Sequence, residues 1–459
     1  TLSGGEYQRI NLANQLGMGL SQTLYVLDEP TVGLHPSDND RLIKILKDLK
    51  NLGNTLVVVE HDKEVIRECD QVIEMGPGSG HLGGQVLYSG DREKFLNKKD
   101  SLTASYVREE YNKKVIISPR PVDLDTYKYK LELSGCKGHN LKNVDAVFPL
   151  RRFVTITGVS GSGKSSLISQ TLFPAIEEHL TGEKQEGLEY KKISGLDNIS
   201  SCIFIDQKPI GKSSRSNPAS YMKVFDDIRN IFASTDDAKE RGVGPGYFSL
   251  NVDGGRCPDC HGEGQQVIDM AFMDDVILTC ETCGGKRYRK EALEIEYRGK
   301  NIYDILNMTV REAMDFFVNY PQIRRALMYL KEVGLEYLCL GQSAYTLSGG
   351  ESQRLKIAKE LTKSQQSNTL YILDEPTTGL HPREIELLLQ VLNKLIDAGG
   401  SVIVIEHNVD VIRQSDYILE IGPEGGKKGG KILFAGTPQE LSKKKNCPTA
   451  PYLKPFFQW

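Results

Sequence analysis

Short apolar blocks alternate along this chain with stretches of helical spacing. Leu24-Tyr25-Val26-Leu27 and Thr55-Leu56-Val57-Val58-Val59 are compact enough for buried parallel strands. Between them, residues 39–52 put Leu42, Ile45, Leu46 and Leu49 on one i, i+3, i+4, i+7 face, which predicts a helix. The pattern returns as a run at 370–373, a helical stretch near 384–395 and a run at 402–405. Phe153-Val154-Thr155-Ile156-Thr157 is a further β-branched run, and residues 202–205 are another apolar one. Strands alternating with helices predict a doubly wound α/β core.

The alternation is part of a longer repeat. Leu2-Ser3-Gly4-Gly5-Glu6 recurs as Leu347-Ser348-Gly349-Gly350-Glu351. YVLDEP from Tyr25 recurs as YILDEP from Tyr371, each followed by Thr, one variable residue and Gly-Leu-His-Pro. Glu60-His61 matches Glu406-His407, and Gly76-Pro77 matches Gly422-Pro423; the offset is 345 at the first match and 346 at the others. So long a period means two copies of a domain segment, not a solenoid. Residues 91–130 are charged, contain Pro119 and Pro121, and look like a connection. The stretch 208–345 is too long for a loop and predicts an inserted domain. The last residues, with their lysines and three prolines, are expected to form a peripheral extension.

Composition narrows the class. A chain of 459 residues predicts two to four domains, and 39% hydrophobic with 26% charged residues is ordinary for a globular protein. No uninterrupted apolar run approaches membrane-spanning length, and the first residues lack a secretory start. A net charge of -4 argues against a general nucleic-acid coat, so any DNA contact needs a local basic patch. Nine cysteines, four of them in two close pairs, suggest metal binding in a reducing compartment, with the cytoplasm expected.

The chemistry concentrates in three places. Gly158-Val159-Ser160-Gly161-Ser162-Gly163-Lys164-Ser165 follows a predicted strand, with Ser166, Leu167 and Ile168 opening a helix: the strand–loop–helix context of a Walker A motif. Its glycines let backbone N–H groups close on phosphate oxygens, Lys164 can reach the β- and γ-phosphates, and the Ser165 hydroxyl can coordinate Mg²⁺. Asp374 ends an apolar strand and Glu375 follows, suiting one carboxylate to Mg²⁺ and the next to activating a water. Asp28 and Glu29 repeat the pair. Either pair alone reads equally as a solvated strand end; duplication beside a phosphate loop weakens that reading. A lone His407 after a strand is commonly a satisfied structural residue, but His61 repeats it, which favours a γ-phosphate contact.

Cys257-x₂-Cys260, nineteen residues, then Cys280-x₂-Cys283 fits a tetrahedral Cys₄ zinc site, with Gly254-Gly255, Gly262 and Gly284-Gly285 supplying tight turns. His261 reads as a neighbour, not a ligand. Basic residues gather around the same stretch, among them Lys208, Lys212, Arg215, Lys223 and Lys239. Composition alone does not separate a DNA-contacting surface from a solvated face.

LSGGE with Gln8-Arg9 and Gln353-Arg354, LDEPT and the Glu-His pairs resemble the signature, Walker B and switch histidine of ABC ATPases. In that family ATP lies between the Walker A of one domain and the signature of the other. The resemblance therefore implies that Lys164, Asp374, Glu375 and His407 face Ser3, Gly4 and Gly5, with Gln207 as the Q-loop glutamine. Asp28, Glu29 and His61 with Ser348, Gly349 and Gly350 would form a second site, for which no phosphate loop precedes Leu2. A truncated or processed chain is expected.

The paired CxxC module between Walker A and signature, with GRCPDCHGEG, CETCGGKRY, DQKPIGKSSRSNPASY and TLSGGESQRLKIAKEL, is similar to the UvrA family, damage-sensing subunits of bacterial nucleotide excision repair. The resemblance implies an α/β fold: duplicated P-loop ABC ATPase cores with an inserted zinc-containing α+β signature domain. It divides the chain into 1–90 (first ABC domain, C-terminal part), 91–130 (linker), 131–207 (second Walker A part), 208–345 (inserted domain), 346–440 (second signature and Walker B part) and 441–459 (tail). It also implies ATP, Mg²⁺ and Zn²⁺ as cofactors, a homodimer, duplex DNA carrying lesions and UvrB as partners, and DNA contacts through Lys212, Arg215 and Lys239. The first Walker A, a UvrB-binding domain and another zinc module are expected upstream. Two other readings stay open: a UvrA-like paralogue in drug resistance, and a non-hydrolysing zinc or DNA interaction module.

Overall fold

The computed structural model describes residues 14, 19–78, 80, 83–108, 120, 122–211, 215–268, 270, 276–363 and 367–457. The chain divides into two compact units, one of residues 1–78, 82–206 and 364–459, the other of 79–81 and 207–363.

The first unit is built on a six-stranded sheet in the order Lys431–Gly436, Tyr417–Gly422, Phe153–Thr157, Ser401–Ile405, Thr369–Asp374, Ser201–Ile205. All neighbours are parallel except the Lys431–Gly436 edge. Phe153–Thr157 and Ser401–Ile405 are buried at every position, which is why they read as continuous apolar runs and not as alternating ones. Val154, Ile156, Ile372, Ile403 and Leu419 share a core with Leu167, Ile168 and Leu172 from the helical stretch that follows the glycine loop. A three-stranded antiparallel sheet, Leu141–Pro149, Lys130–Gly138 and Lys192–Ser194, packs its Leu131, Leu133 and Phe148 into the same core.

The first copy of the repeat keeps the same pairings. Leu24–Asp28 pairs in parallel with Thr55–Val59, Leu24 opposite Thr55, as Leu370 stands opposite Ser401. Gln71–Gly76 pairs antiparallel with Gln85–Asp91, as Tyr417–Gly422 does with Lys431–Gly436. In the second copy Phe153–Thr157 joins the two pairs; among the described residues no strand joins them in the first. The outcome is a large difference in burial. Leu24 is 61% and Val26 67% exposed, whereas Leu370 and Ile372 are fully buried.

Local details differ from the periodicity in explicable ways. The helix predicted over 39–52 spans Pro36–Asn51. Its start is set by His35, whose ring accepts a hydrogen bond from the Ser37 N–H, and by Pro36, whose fixed φ and missing N–H suit a first turn. Pro382–Asp397 begins the same way at His381. The C-terminal stretch is not peripheral: Leu441, Cys447, Ala450 and Leu453 pack with Ile412 and Ile418. The lysines and prolines there signalled exposure, but Leu441, Ala450 and Leu453 form a buried apolar stripe between them. The 91–130 stretch contains helices Arg92–Leu96 and Leu102–Val107, with Phe95, Ala104 and Val107 buried.

The second unit is mainly helical. Val224–Ala233, Ile302–Asn307, Val310–Phe316, Pro321–Glu332 and Gly349–Thr362 are its main helices, and Gln265–Ile268 pairs antiparallel with Val276–Thr279. Asn301, Thr309 and Ser348 each close a reciprocal cap with the acidic residue three positions on, which fixes three helix starts.

Candidate active site

The glycine loop lies between the Phe153–Thr157 strand and a helix that begins at Lys164. Gly158 has φ +132°, and a Cβ there would lie 1.9 Å from the Ile421 carbonyl oxygen, so backbone passes where no side chain fits. The Lys164 ammonium is buried and donates to the Gly158 and Val159 carbonyls at 3.0 and 3.1 Å, held inside the curl of its own loop. Burial lowers its pKa, while Glu375, Asp374 and Asp38 act to raise it. Ser162, Gly163 and Ser166 are buried; Gly161 and Ser165 face outward. The Asn140 amide donates to the Gly161 carbonyl at 2.9 Å, tying the loop to the neighbouring sheet.

Asp374 ends its strand and Glu375 follows at φ +45°, a left-handed conformation rare for a side-chain-bearing residue. Glu29 has φ +43°. Burial, then Asp374, then Glu406, raises the Glu375 pKa, with Lys164 opposing; burial also raises that of Asp374. His407 is fully enclosed, which holds its ring neutral, and its Nε2 lies 3.7 Å from Glu375 Oε1. His61 Nε2 and Glu29 Oε1 repeat that pair at 3.6 Å.

Two glutamates that the repeat displayed, but to which no role had been attached, hold these groups. Glu406 accepts from the Thr377 N–H and hydroxyl through one oxygen, and from the His407 and Asn408 N–H groups through the other. Glu60 likewise accepts from the Thr31 N–H through one oxygen and from the His61 and Asp62 N–H groups through the other. Each glutamate thus ties the loop after Walker B to the switch histidine.

The two copies also cross. A Cβ on Gly33 would lie 2.9 Å from Glu375 Oε2, and one on Gly379 would lie 3.1 Å from Glu29 Oε2. The Ser160 N–H points at Asp38 Oδ2, 3.4 Å away, and the Ser160 hydroxyl donates to the Gly33 carbonyl at 3.3 Å. A cavity of about 370 Å³ opens between the copies, walled by both glutamate–histidine pairs and by Tyr452 and Phe456. Sequence offered a signal for this contact: Gly-Leu-His-Pro occurs in both copies.

Ser3, Gly4 and Gly5 lie outside the described residues. Ser348 caps the Gly349–Thr362 helix in the second unit, with Gly350 buried in its first turn. Gly349 lies beside Gln207, whose Cβ would be 3.4 Å from a Cβ on that glycine. Asp28 ends the Leu24–Asp28 strand as Asp374 ends its own.

In the second unit the four thiols of Cys257, Cys260, Cys280 and Cys283 lie within 4.8 Å of one another. The Cys257–Cys280 and Cys260–Cys283 sulfurs are 3.9 and 3.7 Å apart. A tetrahedron of Zn–S bonds about 2.3 Å long has edges of about 3.8 Å, so the cluster fits a Zn²⁺ ion. The Gly264 N–H donates to Cys260 Sγ at 3.2 Å, support of the kind thiolate ligands require. His261 stands outside the cluster. Arg215 faces Glu263 at 3.9 Å and Lys239 faces Asp236 at 3.7 Å, so both carry acidic neighbours. Lys212 lies outside the described residues. Among the described residues no helix is long and apolar enough to cross a membrane.

Comparison with known proteins agrees with this geometry. The ABC transporter family matches residues 264–378. UvrABC system protein A of Aquifex aeolicus is 52% identical over all of this chain and 49% of its own length. That of Thermus thermophilus is 52% identical over 99% of this chain and 47% of its own. The crystal structure of UvrA2 from Deinococcus radiodurans superposes with a TM-score of 0.92 at 46% identity, covering 100% of this chain and 55% of that one. The chain therefore spans about half the length of the curated relatives it matches. With its duplicated Walker B and switch-histidine geometry, its glycine loop and its four-thiol cluster, it belongs to the UvrA family of ABC-type ATPases.

Proposed function

We propose that the chain hydrolyses ATP at the Lys164 loop and uses that turnover to govern recognition of damaged duplex DNA in nucleotide excision repair. The observation that carries the ATPase reading is the convergence of Lys164, Asp374, Glu375 and His407 on one buried cluster beside a loop that only glycine can form. Lys164 leaves its own carbonyls for the β- and γ-phosphate oxygens, with the N–H groups of residues 160–165 around them. Ser165 and Asp374 would hold Mg²⁺, whose charge offsets that developing on the phosphates. Glu375 takes the proton of the attacking water, a role suited by a carboxyl whose burial makes it a stronger base than usual. Neutral His407 presents its Nε2–H to the γ-phosphate, and Ser3, Gly4 and Gly5 close the opposite side. Asp28, Glu29, His61, Ser348, Gly349 and Gly350 belong to a second, pseudo-equivalent site.

The wider reading draws on the family. Zn²⁺ on the four cysteines braces the second unit, Lys212, Arg215 and Lys239 meet DNA phosphates, and the protein works as a homodimer that passes the lesion to UvrB. Lesions of varied chemistry share altered shape and stiffness, so recognition through phosphates suits them. Phosphate release by this chain, compared with a Lys164→Ala variant, tests the first part; equal rates refute it. Titration of lesion-bearing and undamaged duplexes at two salt concentrations tests the second. Tighter, salt-sensitive binding to the damaged duplex is expected. Equal affinity for the two would favour the drug-resistance paralogue.

A further inference from the structure

The histidines of the two Gly-Leu-His-Pro motifs have no part in the scheme above, yet His35 is fully buried at the junction of the two copies. Its Nδ1 accepts from the Ser37 N–H at 3.2 Å and lies 2.8 Å from the Ser37 hydroxyl. That leaves Nε2 to carry the proton. It points at the Thr449 hydroxyl 3.0 Å away, which therefore accepts. The His35 ring stands edge-on to His407, centroids 5.8 Å apart and planes at 87°. Among the described residues the buried His407 Nδ1 has no hydrogen-bond partner, so packing against His35 bears on the angle of the ring on that side.

Thr449 does not act alone. Its own N–H donates to buried Glu420 at 2.7 Å, and three residues on Tyr452 donates to Asp40 Oδ2 at 2.7 Å. The segment therefore grips the first copy by His35 and by the helix that His35 caps. A related arrangement appears in reverse, with the tyrosine reaching the Val409–Ile412 helix and not the one that His381 caps. Thr103-Ala104-x-Tyr106 matches Thr449-Ala450-x-Tyr452 at the 346-residue offset of the main repeat. Thr103 Oγ1 lies 3.5 Å from His381 Nε2, and Tyr106 donates to Asp410 at 3.4 Å. Each copy thus ends in a Thr-Ala-x-Tyr segment that holds the other copy's Gly-Leu-His-Pro histidine.

We infer that these segments are reciprocal latches, and that Thr449 is a positioning residue which, through His35, sets the ring of His407 at the nucleotide site. The inference deepens the ATPase reading and rests on it. A slack His35 leaves the phosphate cradle of Lys164 untouched but lets the switch histidine turn away from the γ-phosphate. The fault should therefore fall on turnover and not on nucleotide affinity.

The test is steady-state ATP hydrolysis by this chain with T449V and T449S. Valine keeps the shape and removes the acceptor; serine restores it. About tenfold lower kcat is expected for T449V, the scale of one buried donor left unpaired, with KM within about twofold. T449S should recover most of the rate. Unchanged kcat in T449V, or T449S as slow as T449V, overturns the latch. A wild-type chain no faster than Lys164→Ala refutes the ATPase reading alone. In that case imidazole ¹⁵N spectra decide: T449V must shift His407 as well as His35, and an unmoved His407 overturns the inference.

Discussion

Gly33→Ala offers a sharp test of how the two copies meet, because Gly379→Ala is its built-in control. Both glycines sit in the left-handed region, at φ +68° and +67°, so an added methyl costs each site the same backbone strain, about 1–2 kcal/mol. Their surroundings differ. At Gly33 the new Cβ would lie 2.9 Å from Glu375 Oε2; at Gly379 it would lie 3.1 Å from Glu29 Oε2. The Glu375 backbone is fixed by its N–H bond to the Ile405 carbonyl, so the carboxylate end must move, by roughly half an ångström to reach ordinary contact. Displacing a base by that much costs turnover steeply, since a misplacement of about 1 Å can cost about 10²-fold. Gly33→Ala is expected to lower kcat about tenfold. Gly379→Ala presses on Glu29 and not on Glu375, and should leave turnover at the Lys164 loop within about twofold. Thermal melting of both variants, with phosphate release at saturating ATP, separates strain from chemistry. Equal melting losses with equal turnover would refute the claim that Gly33 sets the position of Glu375.

Other expectations follow from the same geometry. Glu375→Gln removes the base but not the cradle, so ATP should stay bound and uncleaved; faster hydrolysis by that variant would overturn the assignment. Cys257→Ala should lower zinc content and loosen the second unit, read by metal analysis and limited proteolysis; unchanged stoichiometry would remove the Cys₄ claim. His35 should make the first unit acid-sensitive. Burial, then Lys164, lowers its pKa from 6.5 to about 3, so below pH 6.5 the unfolded chain binds a proton that the folded one refuses, and stability falls with pH. Between pH 7 and 5 the loss is about 2 kcal/mol, at about 1.4 kcal/mol for each unit below the unfolded pKa. Denaturant unfolding of the chain and of His35→Asn, which keeps the helix-cap acceptor, should differ by that amount; parallel curves would count against it.

Much of this was legible in the residues because it is local. The Phe153–Thr157 strand, the glycine loop and the paired cysteines are each specified within a few positions, by β-branching, by freedom from Cβ and by thiol spacing. What was not legible is held by contacts across the chain. His35 and Thr449 are 414 residues apart, and neither looks unusual in its own neighbourhood. A clue existed: Thr-Ala-x-Tyr recurs at the offset of the main repeat, but its proline- and lysine-rich setting reads as periphery. The bracing by Glu60 and Glu406 was similarly hidden, since Glu-His drew attention to the histidine. The helices that start at Pro36 and Pro382 begin three and two residues before the expected starts at 39 and 384, because a histidine cap carries no hydrophobic signal.

The unequal burial of the two copies means that near-identical words are spoken in different rooms. YILDEP is clamped between neighbours on both sides, while among the described residues YVLDEP pairs with one strand only and Leu24, Val26 and Val59 are exposed. Deuterium from solvent should therefore enter the YVLDEP strand of this chain long before the YILDEP strand.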